Sequence, residues 1–418
     1  MPARWTRFGA SLVLAAGLIA CVPVFAHPAD DRPGATVDDL LAAGRQLSPV
    51  LRAAALETAA AAARAGGADA LDDPTVSDSY QYYKNPGVFS AHTLMLSQSF
   101  PLWGKRDLRR EAAFADLDSA RGREQAARDE LDEKIKAAYA QYYLINRDIA
   151  VNREVGELAG RMHAASLARY GQGGGDQTSV IQALGEQTTA KSEAIRLAGE
   201  KDAIRARLNA LVGRSGDAPL TEPVKMRPMP AVEPVLAILL DRARAANPTL
   251  SADSAAIEAA KSRSGLADKA WYPDLMIGGG PLIQTNNRPV GFAATIGFNI
   301  PLPWGREASG QQEATAQLGA TQQRYAAALI EIEGALGEAI ARLHAAQATE
   351  ALVQNESIPQ ARASFQTVLA GYSQGKGDLT AAIAAEHRIH ETEFRLLQTQ
   401  FDEQVELAAI ERLIGGEL

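Results

Sequence analysis

The sequence predicts a mainly α-helical chain with a small β part, built as two copies of one plan. Three observations carry this. The stretch Tyr170-Gly171-Gln172-Gly173-Gly174-Gly175-Asp176-Gln177-Thr178 recurs as Tyr372-Ser373-Gln374-Gly375-Lys376-Gly377-Asp378-Leu379-Thr380, and both read Y-x-Q-G-x-G-D-x-T. Each copy lies between long, Ala-rich runs with helical apolar spacing, so each is a hairpin tip joining two helices. Each first long run follows two alternating stretches separated by a turn, the pattern of a β-hairpin.

With 418 residues, 46% apolar and 22% charged, the chain has the size of two ordinary globular domains, although an aromatic share of 6% is low for that. A net charge of −8 and the lack of a basic stripe argue against nucleic acid, which needs clustered Lys and Arg to neutralise phosphates.

Residues 1–26 place Arg4 and Arg7 ahead of an apolar run at 8–20, then Val24-Phe25-Ala26 before His27-Pro28, which is the layout of a secretory signal. The only cysteine, Cys21, follows Leu18-Ile19-Ala20, which resembles the lipobox of bacterial lipoproteins, so one outcome is lipidation there. The apolar residues beyond it, Val22, Val24 and Phe25, favour cleavage after Ala26. Neither outcome allows a disulfide within one mature chain. No later segment has the roughly 20 apolar residues of a membrane helix, so membrane insertion would have to use strands.

Residues 36–65 are helical with a break at Ser48-Pro49 and an apolar stripe of Leu40, Leu41, Leu47, Leu51 and Leu56. The second half repeats this over 235–270, with the break at Asn247-Pro248. Each half then meets a proline, Pro74 or Pro273, and a hairpin. The first spans 75–101 with a turn at Asn85-Pro86-Gly87. The second spans 274–302 with a turn at Asn286-Asn287-Arg288-Pro289. The last strand alternates most clearly: Val290, Phe292, Ala294, Ile296, Phe298 and Ile300 form an apolar face, taken as membrane-facing, and Gly291, Ala293, Thr295, Gly297 and Asn299 a small or polar one. Both hairpins leave through matched segments, Phe100-Pro101-Leu102-Trp103-Gly104-Lys105 and Ile300-Pro301-Leu302-Pro303-Trp304-Gly305-Arg306. Their Trp residues suit a membrane interface or a local packing anchor.

No proline occurs from 105 to 213, and Leu131, Ile135, Ala138, Tyr142, Ile145 and Ile149 follow the spacing of a packed helix face. A helix over 105–170 would be on the order of 100 Å long. Tyr325, Leu329, Ile332, Leu336, Ile340 and Leu343 repeat the pattern, interrupted later only by Pro359. The returning helices end alike, at Leu211-Val212-Gly213 and Leu413-Ile414-Gly415. The organisation is therefore a leader at 1–26, a first repeat at 27–213, a Pro-rich linker at 214–234 and a second repeat at 235–418.

Four strands cannot close a barrel, and open edges are not tolerated in hydrocarbon. Helices of that length with an apolar stripe also cannot cover themselves within one chain. Symmetric assembly of several copies answers both problems, giving a shared strand barrel and a tube of helices, and the leader sends the object to an envelope.

On the duplicated halves, the exit Ser97-Gln98-Ser99-Phe100-Pro101 to Gly104-Lys105, the two Tyr-x-x-Gly tips and the helix end Asn209-Ala210-Leu211-Val212-Gly213, the chain resembles the TolC family of outer-membrane efflux and secretion ducts. The resemblance covers essentially the whole mature chain. It implies a homotrimer in outer-membrane lipid, with a barrel of 12 strands, four per chain, continuous with a periplasmic helical tunnel. It also implies a Gram-negative envelope, a periplasmic adaptor and an inner-membrane efflux pump as partners. Ile358-Pro359-Gln360-Ala361, the second tip and the terminal Glu411-Arg412-Leu413-Ile414-Gly415-Gly416-Glu417-Leu418 are most similar to the branch serving heavy-metal pumps.

The resemblance implies that the tips, through Tyr170, Gln172, Gly173, Gly175, Tyr372, Gln374, Gly375 and Gly377, meet the adaptor hairpins. Their glycines permit a positive φ and close approach of another helix pair, or serve only as helix stops. Asp176 and Asp378 stand where a carboxylate caps a returning helix, and in a trimer each would also form a ring of three at the entrance, a candidate gate. A gate known in the family uses aspartates further along, where this chain has Ala381 and Ala384. His387 and His390, beside Glu386 and Glu391, have the spacing to share a metal, but without a third clustered His or any Cys they read as a solvated helix face. Lys105, Arg106, Arg109 and Arg110 read as a wet surface below the barrel.

No catalytic constellation and no cofactor loop is present, so the expectation is a passive exit duct that is not an enzyme and has no cofactor. Its cargo would be heavy-metal cations, drugs or, in a type I secretion duct, polypeptides. The alternative from another class is a periplasmic coiled-coil scaffold without a pore, for which the strand at 290–300 has no use.

Overall fold

The computed structural model describes residues 33–82, 90–173, 176–230, 233–284, 289–373 and 379–418. The leader with Cys21, the turn at 85–87 and residues 286–288 of the second turn lie outside them. The first half runs α1 (Val37–Leu47), α2 (Pro49–Gly67), β1 (Thr75–Gln81), β2 (Ala91–Phe100), α3 (Lys105–Gly171) and α4 (Gln177–Leu211). The second runs α5 (Leu236–Ala246), α6 (Pro248–Asp268), β3 (Leu275–Gln284), β4 (Gly291–Phe298), α7 (Arg306–Leu352), α8 (Ile358–Ser373) and α9 (Leu379–Ile414).

Local chemistry sets the boundaries. Thr36 caps α1 in a reciprocal box, its hydroxyl accepting from Asp39 N (3.3 Å) and its own N–H donating to the Asp39 carboxylate (3.1 Å). Pro49 and Pro248 occupy the first positions of α2 and α6, where a missing N–H costs nothing. Asn247 caps α6, and its amide donates to Leu413 O at 2.8 Å. Helix α3 has 67 residues, which at 1.5 Å each is about 100 Å. Pro359 does not break the matching helix. A π turn over Val353–Ser357 widens the backbone just ahead of it, relieving the clash a proline makes with the carbonyl four residues earlier.

Each half buries its own core midway along the long helices. Leu40, Leu41, Ile135, Tyr139, Tyr142, Leu208 and Val212 form one, and Leu239, Leu240, Leu336, Ile340, Leu343, Ile410 and Ile414 the other. Most of these are paired by the repeat. Two predicted stripe residues differ: Leu47 and Leu56 are exposed in the single chain, Leu56 at 70%. Leu56 lies five residues from Leu51 in the same helix, about 140° around it, so α2 turns Leu51, Ala61 and Ala65 inward and Leu56 outward, while Leu47 is the last residue of α1.

The same closure locks both halves. Gly213 and Gly415 end α4 and α9 with φ of 75° and 70°. Arg214 N donates to Asn209 O (2.8 Å) and Gly416 N to Glu411 O (3.0 Å), the bond pattern of a glycine-terminated helix. A Cβ at Gly213 would stand 2.7 Å from Leu47 O, and one at Gly415 2.4 Å from Ala246 O, so each helix end presses directly on the kink of its own half. The linker runs extended, with Thr221 N donating to Pro33 O and Val224 N to Ala35 O. The Tyr139 hydroxyl lies 3.0 Å from Ala35 O and 2.9 Å from Lys225 O, and burial pushes its pKa up to about 12. Between the halves, buried Glu411 holds both Lys136 (2.8 Å) and Arg227 (2.6 Å).

The four strands form one antiparallel sheet in the order β1-β2-β3-β4. Strand β4 is shorter than the predicted 290–300. It stops at Phe298, and Val290 and Ile300 flank it. Beyond it the Asn299 side chain takes the Asp274 N–H, and Pro301 has none to give.

Gly415→Ala should cost about 1–3 kcal/mol, because the residue must hold a left-handed φ against a carbonyl. A thermal melt of the detergent-purified protein checks this, with Gly416→Ala as the milder control.

Candidate functional site

The sheet register sorts side chains by chemistry. With Phe298 opposite Leu275, Ile296 opposite Ile277 and Phe292 opposite Pro281, and with Leu275 opposite Phe100 and Ile283 opposite His92, one face collects most of the large apolar residues of the sheet, together with Asp78, His92 and Gln98. Leu94, Leu96, Val76 and Tyr80 join it through the β1–β2 pairing. The other face is mostly small or polar, with Ser77, Thr93, Ser97, Gly278, Thr295 and Gly297, and it also carries Met95, Met276 and Leu282. The apolar face is uncovered: Phe292, Ile296 and Phe298 are 77%, 71% and 58% exposed. At roughly 25 cal/mol per Å² such a face is costly to hold against water. Among the described residues no helix is long and apolar enough to cross a membrane.

Aromatic and ion-paired residues bracket this face. Near the hairpin turns Tyr80 stacks on His92 (4.5 Å between centroids), and His92 lies 3.5 Å from Asp78. At the helix end Trp103 packs on Tyr272 (5.3 Å), and Trp271 and Trp304 are exposed. That end is tightly built. The Trp103 indole donates to Pro273 O (2.8 Å), Leu102 N to Asp274 Oδ1 (3.0 Å), and Lys105 Nζ to both Tyr272 O (2.8 Å) and Asp274 Oδ1 (2.9 Å). Lys105 is therefore buried and ion-paired, contrary to the wet surface predicted for it, because its long stem passes under the sheet to a carboxylate 169 positions away. Arg106 and Arg110 remain at the surface and bind Asp69.

At the opposite end of α3, Gly173 turns the chain at φ 75°, Gly173 N donates to Tyr170 O (3.0 Å), and among the described residues nothing lies within 4 Å of a Cβ placed on it. Tyr170 and Gln172 are exposed. Asp176 is the N-cap of α4, accepting from Ser179 N at 2.9 Å, and its hydrogen bonds from Ser179 hold its pKa below the usual carboxylate value. Tyr372 belongs to the last turn of α8, while Gly175, Gln374, Gly375, Gly377 and Asp378 lie outside the described residues. The two helical hairpins touch near their tips. Thr380 Oγ1 donates to Gln182 (3.1 Å), and Met162, Ala183 and Ile383 pack together.

His387 and His390 do not converge. His387 lies 2.9 Å from Glu186 on α4, and His390 3.3 Å from Glu386 on its own helix. Among the described residues no group of three metal-ligating side chains gathers. Nor is this a fully solvated face, since Glu386 is buried beneath it.

The sequence matches the family model described as outer membrane efflux protein over residues 40–214 and 239–416, one match per repeat. The chain belongs to that family. As an outer membrane efflux protein it is a transport protein of the outer membrane, and several of the solved structures similar to it are described as channels. The outer membrane protein VceC of Vibrio cholerae is 20% identical, with 91% of this chain and 96% of that one covered and a TM-score of 0.78. CusC, described as forming a transmembrane channel, is 18% identical over 91% and 92% (TM-score 0.78). The CmeC outer membrane channel of Campylobacter jejuni is 14% identical over 91% and 85% (TM-score 0.77). No curated protein matches the chain.

Two features of this efflux protein escape a reading of the sequence. The Asp274 anchor for Lys105 carried one local signal, its place directly after Pro273 at the start of a strand. The carboxylate pair Glu403 and Glu350 carried none, because its members come from α9 and α7. Glu403 is almost fully buried, one of its oxygens has no partner, and burial, with Glu350 beside it, raises its pKa to about 7. A carboxyl whose folded pKa exceeds its unfolded value stabilises the fold fully below about pH 4.5, and that contribution is lost as pH rises through about 7. Melting temperature should therefore fall between pH 5 and 8 in the native protein and fall less in Glu403→Gln. Parallel melts across that range measure the difference.

Proposed function

We propose that this outer membrane efflux protein is the passive exit duct of a tripartite pump. Three copies close four strands each into a 12-stranded barrel in the outer membrane, and the long helices form a tunnel into the periplasm. The observation that carries this is the uncovered apolar sheet face joined to helices of about 100 Å. Hydrocarbon covers that face, and neighbouring copies supply partners for the open edges of β1 and β4. A coiled-coil scaffold without a pore would leave the sheet with no role.

The tips are the proposed docking points for a periplasmic adaptor bound to an inner-membrane pump, which supplies the energy. The exposed Tyr170 and Gln172 support this, as does the lack of any contact to a Cβ placed on Gly173 among the described residues. Opening is a movement of the tip helices, with no bond chemistry. The rings of Asp176 and Asp378 would add a negative potential at the entrance that favours cations. The proposed cargo, metal cations, rests on the likeness of 358–361 and 411–418 to the heavy-metal branch.

Gly173→Pro forces φ near −65° at a position that needs +75°, so it should abolish efflux while leaving trimer and membrane insertion intact. Resistance that survives the change would remove the docking role. A strain lacking this protein should become sensitive to metal salts with its drug tolerance unchanged. The opposite pattern assigns the duct to drugs, and a loss of secreted polypeptides assigns it to secretion.

A further inference from the structure

We propose that Trp304 and Arg306 of one copy clasp Asp73 and Pro74 of the next, locking the lower end of the seam between copies. The proposal rests on the trimer reading above. Its template is inside the chain, where the end of β2 meets the start of β3 and Trp103 and Lys105 grip Tyr272, Pro273 and Asp274.

The internal repeat converts that contact into a prediction about a second copy. Strand β4 is the repeat partner of β2, and β1 of β3. Trp304 and Arg306 each follow Trp103 and Lys105 by 201 positions, behind left-handed glycines at Gly104 (φ 76°) and Gly305 (φ 97°). Pro74 precedes Pro273 by 199. Within one chain β2 pairs with β3, whereas β4 and β1 are the two edges. Pairing β4 with the β1 of a second copy therefore re-creates the β2–β3 junction, with Trp304 aimed at the Pro74 carbonyl.

The side chains of this half-clasp are vacant in the single chain. Trp304 is 86% exposed, against 52% for Trp103. Among the described residues neither Arg306 nor Asp73 has an ion pair. The charge is arranged differently from the template. Asp274 corresponds to Thr75, which carries no charge, and Asp73 supplies a carboxylate two positions earlier. The cation is Arg instead of Lys, whose planar fork holds a carboxylate bidentately. Such a lock has a purpose beyond cohesion. Ladder hydrogen bonds are blind to sequence, and a one-residue slip between copies would turn the apolar face of a strand inward.

The test is the double variant Asp73→Cys with Arg306→Cys, treated in isolated outer membranes with a short bismaleimide and then heat-denatured for gel analysis. The clasp predicts covalent dimers and trimers from the double variant and monomers from each single one. An internal link would run as monomer, and the two edges of one sheet are about 14 Å apart, three strand spacings. A heat-labile trimer that carries no 73–306 link overturns the clasp and leaves the trimer standing. If the native protein shows no heat-labile trimer, the duct reading falls and the clasp with it. Should the cysteine pair fail to assemble, charge reversal decides. Arg306→Glu should lower the temperature at which the trimer dissociates, and adding Asp73→Arg should restore at least half of the loss. A double reversal no better than the single one overturns the clasp.

Discussion

A small sheet that is largely apolar on one side, mostly small and polar on the other, and open at both edges is stable neither in water nor alone in lipid. Water penalises the face that carries Phe292, Ile296 and Phe298, and hydrocarbon penalises every unpaired N–H and C=O along β1 and β4. Only a closed ring satisfies both demands, with the apolar face outward and each edge paired. Most other features of the chain serve this constraint. The hairpins are placed between helices so that both strands of each pair start and finish at the same end. The aromatic residues gather at that end and near the turns, and the buried Lys105–Asp274 pair fastens strand to helix at the junction of sheet and helices.

The helical part meets a different requirement, which is to hold long rods in fixed relation with little core. It does so by repetition. Each half kinks a short helix at Ser48-Pro49 or Asn247-Pro248 and drives the glycine end of its last helix against that kink. The cores around Tyr139 and Ile340 sit midway along the long helices, and the Lys136–Glu411–Arg227 cluster ties one half to the other. Towards the tips the packing thins to small contacts such as Ala183 with Ile383. Regions with few buried apolar contacts open at low free energy, which suits the tip movement proposed for opening.

The repeated plan, the hairpins and the long helices were legible in the sequence because they depend on local periodicity and on punctuation by Pro and Gly. Asp176 as a helix cap was legible for the same reason. Contacts between distant segments were not. Nothing near Lys105 announces that its partner is Asp274, and a basic run next to a membrane segment reads as solvated. Leu56 failed for a local reason, since a spacing of five from the buried Leu51 puts it about 140° around the same helix. The metal spacing of His387 and His390 dissolved once the neighbouring helix supplied Glu186 to one of them.

The proposed duct requires the β4 side chains at 292, 294, 296 and 298 to face lipid and those between them to face the lumen. Arginine at adjacent positions of that strand separates the faces. On the lipid side near mid-membrane it costs about 2–4 kcal/mol, and on the lumen side little. The yield of heat-labile trimer in the outer membrane should collapse for Ile296→Arg and persist for Thr295→Arg. Equal loss in both, or loss in Thr295→Arg alone, would contradict the account.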